Sequence, residues 1–275
     1  MTSSRVAADR MGGTAQMGGA RLVAHQLRYD LLLVLRDPQS RFFTIALPLI
    51  FLVLLTSLFG NGTHIVNGHK IKNSTYYVPG ICTLGIIATS FVNLVISITA
   101  QRESGVLKRR RSTPVPAWVL IASRALTSVI LAIVLVAVIV VIGRIIYGVH
   151  LPTSTLPAFV LGVVVGAVAF CCMAFATASF IRNEDSAQPI IQAIILPLYF
   201  ISGVFVPKDQ LSSTLQDIAS IFPVSHLNNA LFKAFNPATT GSGIAGKDLL
   251  ILALWGVGGL VIALWRFSWS PRGAQ

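Results

Sequence analysis

The sequence has very few acidic residues and few charges of any kind. Its 275 residues include only 9 Asp and Glu, and charged residues make up 11% of the chain against 54% hydrophobic residues. Soluble domains usually carry about 25% charged residues. The composition therefore excludes an ordinary soluble protein and indicates one embedded in a bilayer.

Cysteines and enzyme motifs are also scarce. Cys82, Cys171 and Cys172 all lie in apolar stretches, so they predict neither a disulfide framework nor a metal site. There is no GxSxG or HExxH motif, and the segment GSGIAGKD at 241–248 departs from a P-loop because Asp248 replaces the Ser or Thr that would bind magnesium. We interpret that segment as a flexible loop, and we predict no catalytic residue and no cofactor bound by this chain.

Long apolar runs are what the chain does have. Six of them contain no Asp, Glu, Lys or Arg, at 42–59, 77–100, 125–143, 156–181, 187–206 and 249–265. A spanning helix needs about 20 such residues. The sequence predicts an all-α membrane protein with six transmembrane helices, at about 42–59, 77–100, 120–143, 156–181, 187–206 and 249–265. Gly162 and Gly166 predict that the fourth span packs centrally.

The basic residues predict the orientation. Of the 21 Lys and Arg residues, 15 lie on the side of the N-terminus and 6 on the opposite side of the predicted spans. Because cytoplasmic segments carry an excess of Lys and Arg, both termini are predicted to be cytoplasmic. The positive charge is thus an orientation signal and does not predict nucleic-acid binding. We predict a multi-pass protein of a bacterial plasma membrane, with a disordered tail at 1–20, a membrane domain at 21–267 and a tail at 268–275.

Residues 21–37 are too charged to span. Their apolar residues share one arc of a helix and Arg28 and Arg36 lie on another, which predicts an amphipathic helix at the interface with membrane lipids. The alternative is a frayed extension of the first span, but Asp37-Pro38 disfavours it because proline restrains the preceding residue from helical geometry.

The outer segments and the polar residues within spans complete the pattern. We interpret 60–76 as a solvated loop and the broken apolar segment after the fifth span as short re-entrant helices on the outer side. Neutral polar residues in the spans are either interhelical hydrogen-bonding groups or a weakly polar translocation path: Ser90, Asn93, Ser97, Gln192, Tyr199 and Ser202. The absence of Asp and Glu from the spans weighs against an ion-coupled carrier.

Three segments resemble the permeases of type-2 ABC transporters, the export subunits that include the daunorubicin-resistance family. These are PLYFISGVFVP at 197–207 with the following LSSTLQDIASIFPVSHLNNALF, the inside loop at 102–114 with its E-x-G-x-L-K-R core, and Arg36-Asp37-Pro38. The resemblance extends from about residue 21 to 267. The chain departs from the pattern at Val106, where Thr is common, and at the basic pair Arg110-Arg111.

The resemblance implies a permease that pairs with a second permease chain, identical or not, and with separate cytoplasmic ATPase subunits that use ATP and magnesium. It implies coupling to the ATPase through Glu103, Gly105, Leu107, Lys108 and Arg109, further contacts through the interface helix, and an extracellular gate around Gly203, Phe205 and Pro207. The substrate would be an amphipathic drug, lipid or glycan, as in antibiotic-resistance exporters. The alternatives are an ion-coupled secondary carrier and a membrane assembly factor that transports nothing.

Overall fold

Helices make up most of the described chain in the computed structural model. The structure describes residues 19–36, 42, 46–59, 62–66, 69–105, 117–237, 239 and 241–266. The helices are α1 (Gly19–Arg36), α2 (Leu47–Phe59), α3 (Asn73–Glu103), α4 (Ala117–Tyr147), α5 (Leu156–Ala178), α6 (Glu184–Ile201), α7 (Ser213–Ala219), α8 (Pro223–Phe235) and α9 (Gly246–Arg266). The prediction of a mostly helical membrane protein is confirmed. The predicted tails lie outside the described residues, except that α1 already begins at Gly19.

Four of the described helices are long and apolar enough to cross a membrane, at Asn73–Glu103, Ile121–Tyr147, Leu156–Ala178 and Gly246–Arg266. Their outer surfaces carry large exposed apolar side chains, such as Ile145 on α4 and Leu254 on α9. In water these would be costly, whereas in a bilayer they face lipid. Helix α2 has only 13 residues, and α6 has 18 residues with two acids in its first turn. Length and composition therefore do not identify these two helices as membrane spans.

Helix α3 is continuous but changes its winding in the middle. Its α-helical halves, Asn73–Ile87 and Asn93–Glu103, are joined by a π turn at Ala88–Val92. The Thr89 hydroxyl donates to the carbonyls of Gly85 at 3.0 Å and Ile86 at 2.9 Å, in the helical turn just before the π turn. The sequence pattern did not predict this turn.

A short hairpin precedes α3, and the interpretation of 60–76 as a solvated loop is wrong in this respect. Strand β1 (Thr63–Val66) pairs antiparallel with β2 (His69–Lys72), with Thr63 opposite Lys72 and Val66 opposite His69. The strands contain the β-branched residues Thr63, Ile65, Val66 and Ile71, a residue type that favours strands.

Helix α5 lies at the centre of the bundle, as its glycines predict. It packs against α3, α4, α8 and α9. An added Cβ at Gly166 would lie 2.6 Å from Leu227 of α8, so these glycines accommodate α8. On its other side α5 meets α9, where a Cβ at Gly259 would lie 2.9 Å from the backbone of Met173. Small residues thus let two helices approach α5 closely.

Candidate functional site

Arg102 is buried at one end of the bundle, where it holds the end of α5. Its guanidinium donates to the backbone carbonyls of Ala178 at 2.9 Å and Arg182 at 3.1 Å, and also to that of Ile181. These carbonyls lie at and just beyond the C-terminus of α5, where no further turn of helix satisfies them. The guanidinium group suits this cluster of carbonyl oxygens because it is charged and has several N–H donors.

The next residue, Glu103, holds the start of α6. Its Oε2 accepts a hydrogen bond from the backbone N–H of Glu184 at 2.6 Å. A carboxylate at a helix N-terminus and a guanidinium at a helix C-terminus both match the helix dipole. Arg102 and Glu103 therefore attach the end of α3 to both sides of the short turn between α5 and α6. We call these two residues and that turn the Arg102–Glu103 clamp.

Gly105 ends α3 directly after the clamp. It has φ +70°, and the N–H groups of Ser104 and Gly105 bond to the carbonyls of Ala100 and Arg102. Left-handed glycine is the common way to stop a helix. An added Cβ would meet nothing within 4 Å, so conformation and not space selects glycine here.

The residues predicted to couple to an ATPase are only partly described. Glu103 and Gly105 lie in and beside the clamp, whereas Leu107, Lys108 and Arg109 lie outside the described residues. Sequence reasoning counted Arg102 as a positive charge and as the first residue of the inside loop, and it did not predict a structural role for this side chain. The available signal was its position directly after the charge-free run 77–100, where an arginine can turn back to backbone groups at the end of a neighbouring span.

Helix α1 is attached to α4 by a buried charge pair. Asp30 is fully buried, and its Oδ1 lies 3.5 Å from Nη2 of Arg124, while the Ser123 hydroxyl donates to Oδ2 at 3.2 Å. Arg28 and Arg36 are exposed, in agreement with a basic outer face, and Asp37 lies outside the described residues. Asp30 was not among the predicted residues because the helical pattern shows only that its position is polar.

A second polar cluster lies at the opposite end, beside the short 3-10 helix Lys208–Gln210. The Lys208 ammonium donates to Ser225 Oγ at 2.9 Å and to Asn229 Oδ1 at 2.5 Å, both on α8. Burial lowers the pKa of Lys208, and the nearby Asp248 carboxylate partly offsets this. The contacts attach the segment after α6 to α8.

His226 connects α8 to the start of α9. Its Nδ1 lies 2.7 Å from Oδ1 of Asp248 and its Nε2 lies 2.8 Å from the Ser220 carbonyl oxygen. Both neighbours are hydrogen-bond acceptors, so the ring can donate to both only when both nitrogens carry hydrogen. The interpretation of 241–248 as a flexible loop is wrong at its end, because Gly246, Lys247 and Asp248 form the first turn of α9.

The predicted gate residues lie where the chain turns back after α6. Gly203 has φ +80°, and the following Val204 passes so close to α3 that a Cβ at Gly80 would lie 2.8 Å from its carbonyl oxygen. Phe205 packs against Phe51 of α2, with ring centroids 5.0 Å apart. Pro207 is buried. The structure therefore brings the three residues into one tight turn, and their role as a gate stays a prediction.

We expect Gly203→Ala to destabilise the protein more than Gly241→Ala does. Both glycines have positive φ, which costs alanine about 1 kcal/mol. At Gly203 the Cβ would also lie 2.9 Å from Cγ of Lys208, whereas at Gly241 it would meet nothing within 4 Å. Melting of the purified variants in detergent would check this, and equal melting temperatures would contradict it.

The predicted path residues differ in their burial. Ser90 is fully buried in the π turn, while Asn93 and Ser97 are half-buried, and Ser97 accepts a hydrogen bond from Gln101 on its own helix at 2.9 Å. On α6, Gln192 is half-buried, whereas Tyr199 and Ser202 are buried near Phe205 and Asn228. The role of these residues in transport stays a prediction.

The model of the family described as ABC-2 type transporter matches residues 22–236, which extends from α1 to the end of α8.

The curated relatives that match this chain are distant from it in sequence. The "Inner membrane transport permease YadH" of Escherichia coli strain K12 is 20% identical over 230 residues, which cover 82% of this chain and 86% of the relative. Proteins of the same name from Escherichia coli O157:H7 and Shigella flexneri match with the same identity and coverage.

Proposed function

The chain belongs to the ABC-2 type transporter family, whose members are membrane permease subunits, and we propose that it forms the translocation pathway of an ATP-driven exporter. A separate subunit would bind and hydrolyse ATP with magnesium. This chain would supply the membrane route and work together with a second permease chain. The observation that supports this most directly is the Arg102–Glu103 clamp, which lies next to the segment that resembles the family's coupling loop.

In this proposal α2 and α6 are the first and fifth of six spans, and the clamp faces the cytoplasm. The end that carries Arg102, Arg182 and Arg266 belongs to the more basic side of the chain, which supports a cytoplasmic location. Lys208 and the hairpin before α3 then lie outside the cell. Helices α7 and α8 would enter the outer leaflet, where their backbone groups are satisfied within the protein.

The clamp explains how force from an ATPase would reach several spans at once. The segment 106–116 lies between Gly105 and α4 in the sequence. A force that an ATPase exerts on this segment would therefore act on the end of α3. Because Arg102 and Glu103 bond to the ends of α5 and α6, these three helices would move as one unit. Packed helices transmit such displacements because cores are close-packed.

At the outer end the same helices meet the proposed gate. Helix α6 leads into the turn at Gly203, and Lys208 attaches this turn to α8. A movement of α6 would therefore change the contact between Phe205 and Phe51. The substrate would be an amphipathic drug, lipid or glycan that passes between the two permease chains.

We expect Glu103→Ala to reduce the amount of ATPase subunit that co-purifies with the chain from native membranes. The change removes the acceptor for the Glu184 N–H and loosens the clamp. Leu107→Asp should have the same effect through the coupling segment itself. Quantitative mass spectrometry of the affinity-purified complex would measure the ATPase, and Asp185→Ala is the matched control because Asp185 is an exposed acid in the same turn.

Full ATPase association and full transport in both variants would show that the coupling assignment is wrong. Transport by the purified chain alone that follows an ion gradient and ignores ATP would instead support a secondary carrier. A chain that co-purifies with no ATPase would disprove the exporter proposal.

A further inference from the structure

A deep apolar groove separates α6 from α9. It has a volume of about 840 Å³, and α5 forms its floor through Phe170 and Met173. Helix α6 contributes Ile190 and Ile194, and α9 contributes Leu254. These last three side chains are each more than 40% exposed, so the groove is open at the side of the helix bundle.

The groove has the length of one leaflet. Along α9 it extends from Ile251 to Ile262, which corresponds to about 16 Å of helix. The hydrocarbon core of a bilayer is about 30 Å thick, so one leaflet is about 15 Å. Phe222 and Pro223, at the start of α8, also line the groove. An occupant therefore matches the chains of a single leaflet.

A basic residue lies at one mouth of the groove. The Arg266 guanidinium lies 4.7 Å above the ring of Phe180, a residue that lines the groove. Arg266 comes one helical turn after Ile262 and is exposed, and within the described residues it forms no ion pair. Glu184 and Asp185 lie at this end too, in the first turn of α6. Basic residues beside pockets between spans bind anionic lipid headgroups.

We propose that this groove is a binding site for one anionic phospholipid from the leaflet on the Arg266 side. Its acyl chains lie along Ile194 and Leu254, and its phosphate pairs with Arg266. The site is distinct from the residues of the proposed translocation path and does not depend on the exporter proposal. The lipid would fill the space between α6 and α9 and so hold these two helices apart.

Gly258 offers a way to close the groove without disturbing the fold. It lines the groove, and an added Cβ would meet nothing within 4 Å. Gly258→Phe should therefore fill the space that the acyl chains occupy. Val257→Phe is the matched control, since Val257 is an exposed neighbour on α9 outside the groove. Arg266→Gln removes the headgroup contact from an exposed position and provides a second variant if Gly258→Phe does not fold.

The experiment is native mass spectrometry of the purified full-length chain after exposure to phosphatidylglycerol or to phosphatidylcholine in detergent. We expect wild type and Val257→Phe to retain phosphatidylglycerol through mild activation, and Gly258→Phe to lose most of it. Arg266→Gln should retain about fivefold less, whereas Arg144→Gln, at the opposite end of the bundle, should match wild type.

Three outcomes would overturn the proposal. One is that wild type retains no phospholipid. Another is that both Gly258→Phe and Arg266→Gln retain as much as wild type. The third is that Gly258→Phe abolishes a dimer while lipid retention is unchanged, which would assign the groove to contacts between permease chains.

Discussion

Arg102→Ala is expected to destabilise the chain by about 3 kcal/mol or more, because hydrogen bonds from a charged donor each contribute about 1.5–3 kcal/mol. The change removes the donor for the carbonyls of Ala178, Ile181 and Arg182 at once. It also removes one of the largest fully buried side chains in the described part of the protein. The end of α5 would then lose its attachment to α3.

Heating the variant in detergent and measuring the surviving monodisperse fraction would test this without knowledge of the substrate. Arg182→Ala is the matched control, because the Arg182 side chain is exposed and only its carbonyl accepts from Arg102. Arg102→Lys should be intermediate, since a lysine lacks the forked geometry that reaches several carbonyls. If Arg102→Ala melts like Arg182→Ala, the clamp does not hold the three helices together.

Much of the fold was predictable because the bilayer imposes simple rules on sequence. Backbone groups must be satisfied within each segment, so charge-free runs of sufficient length can only be helices. The runs at 77–100, 156–181 and 249–265 each coincide with a described helix to within a few residues. The glycines of α5 predicted close packing correctly, but the partner at Gly166 is the short helix α8, and not another span.

The polar contacts could not be predicted because they join distant parts of the chain. Asp30 lies 93 residues before Ser123, and Arg102 lies 76 residues before Ala178. Helical periodicity places such residues on a face, but it does not say what that face meets. The same limit explains why Glu103 and Gly203 were identified only through the family resemblance. Asp248 was misassigned because it is charged and lies just before the charge-free run 249–265, so the pattern placed it outside the sixth span.

Asp30→Leu is expected to be among the most damaging single substitutions in α1, with a cost of about 3–5 kcal/mol. Asp30 is fully buried and faces Arg124, so its loss leaves a buried guanidinium without this carboxylate. Ser123 would also lose this hydrogen bond to Asp30. By contrast, Arg28→Leu on the same helix should cost little, since Arg28 is exposed.

The double variant Asp30→Leu with Arg124→Met separates the energy of the charge pair from the packing of α1. Replacing both partners of a buried ion pair with apolar residues is often neutral, whereas removal of one is costly. We therefore expect the double variant to melt closer to wild type than Asp30→Leu does. A double variant that melts below Asp30→Leu would mean that Arg124 stabilises the protein through its other contacts, and that the pair does not fix α1 on α4. If the pair does fix α1, the single variant should also release α1 to protease cleavage at its exposed basic face, and the double variant should restore protection.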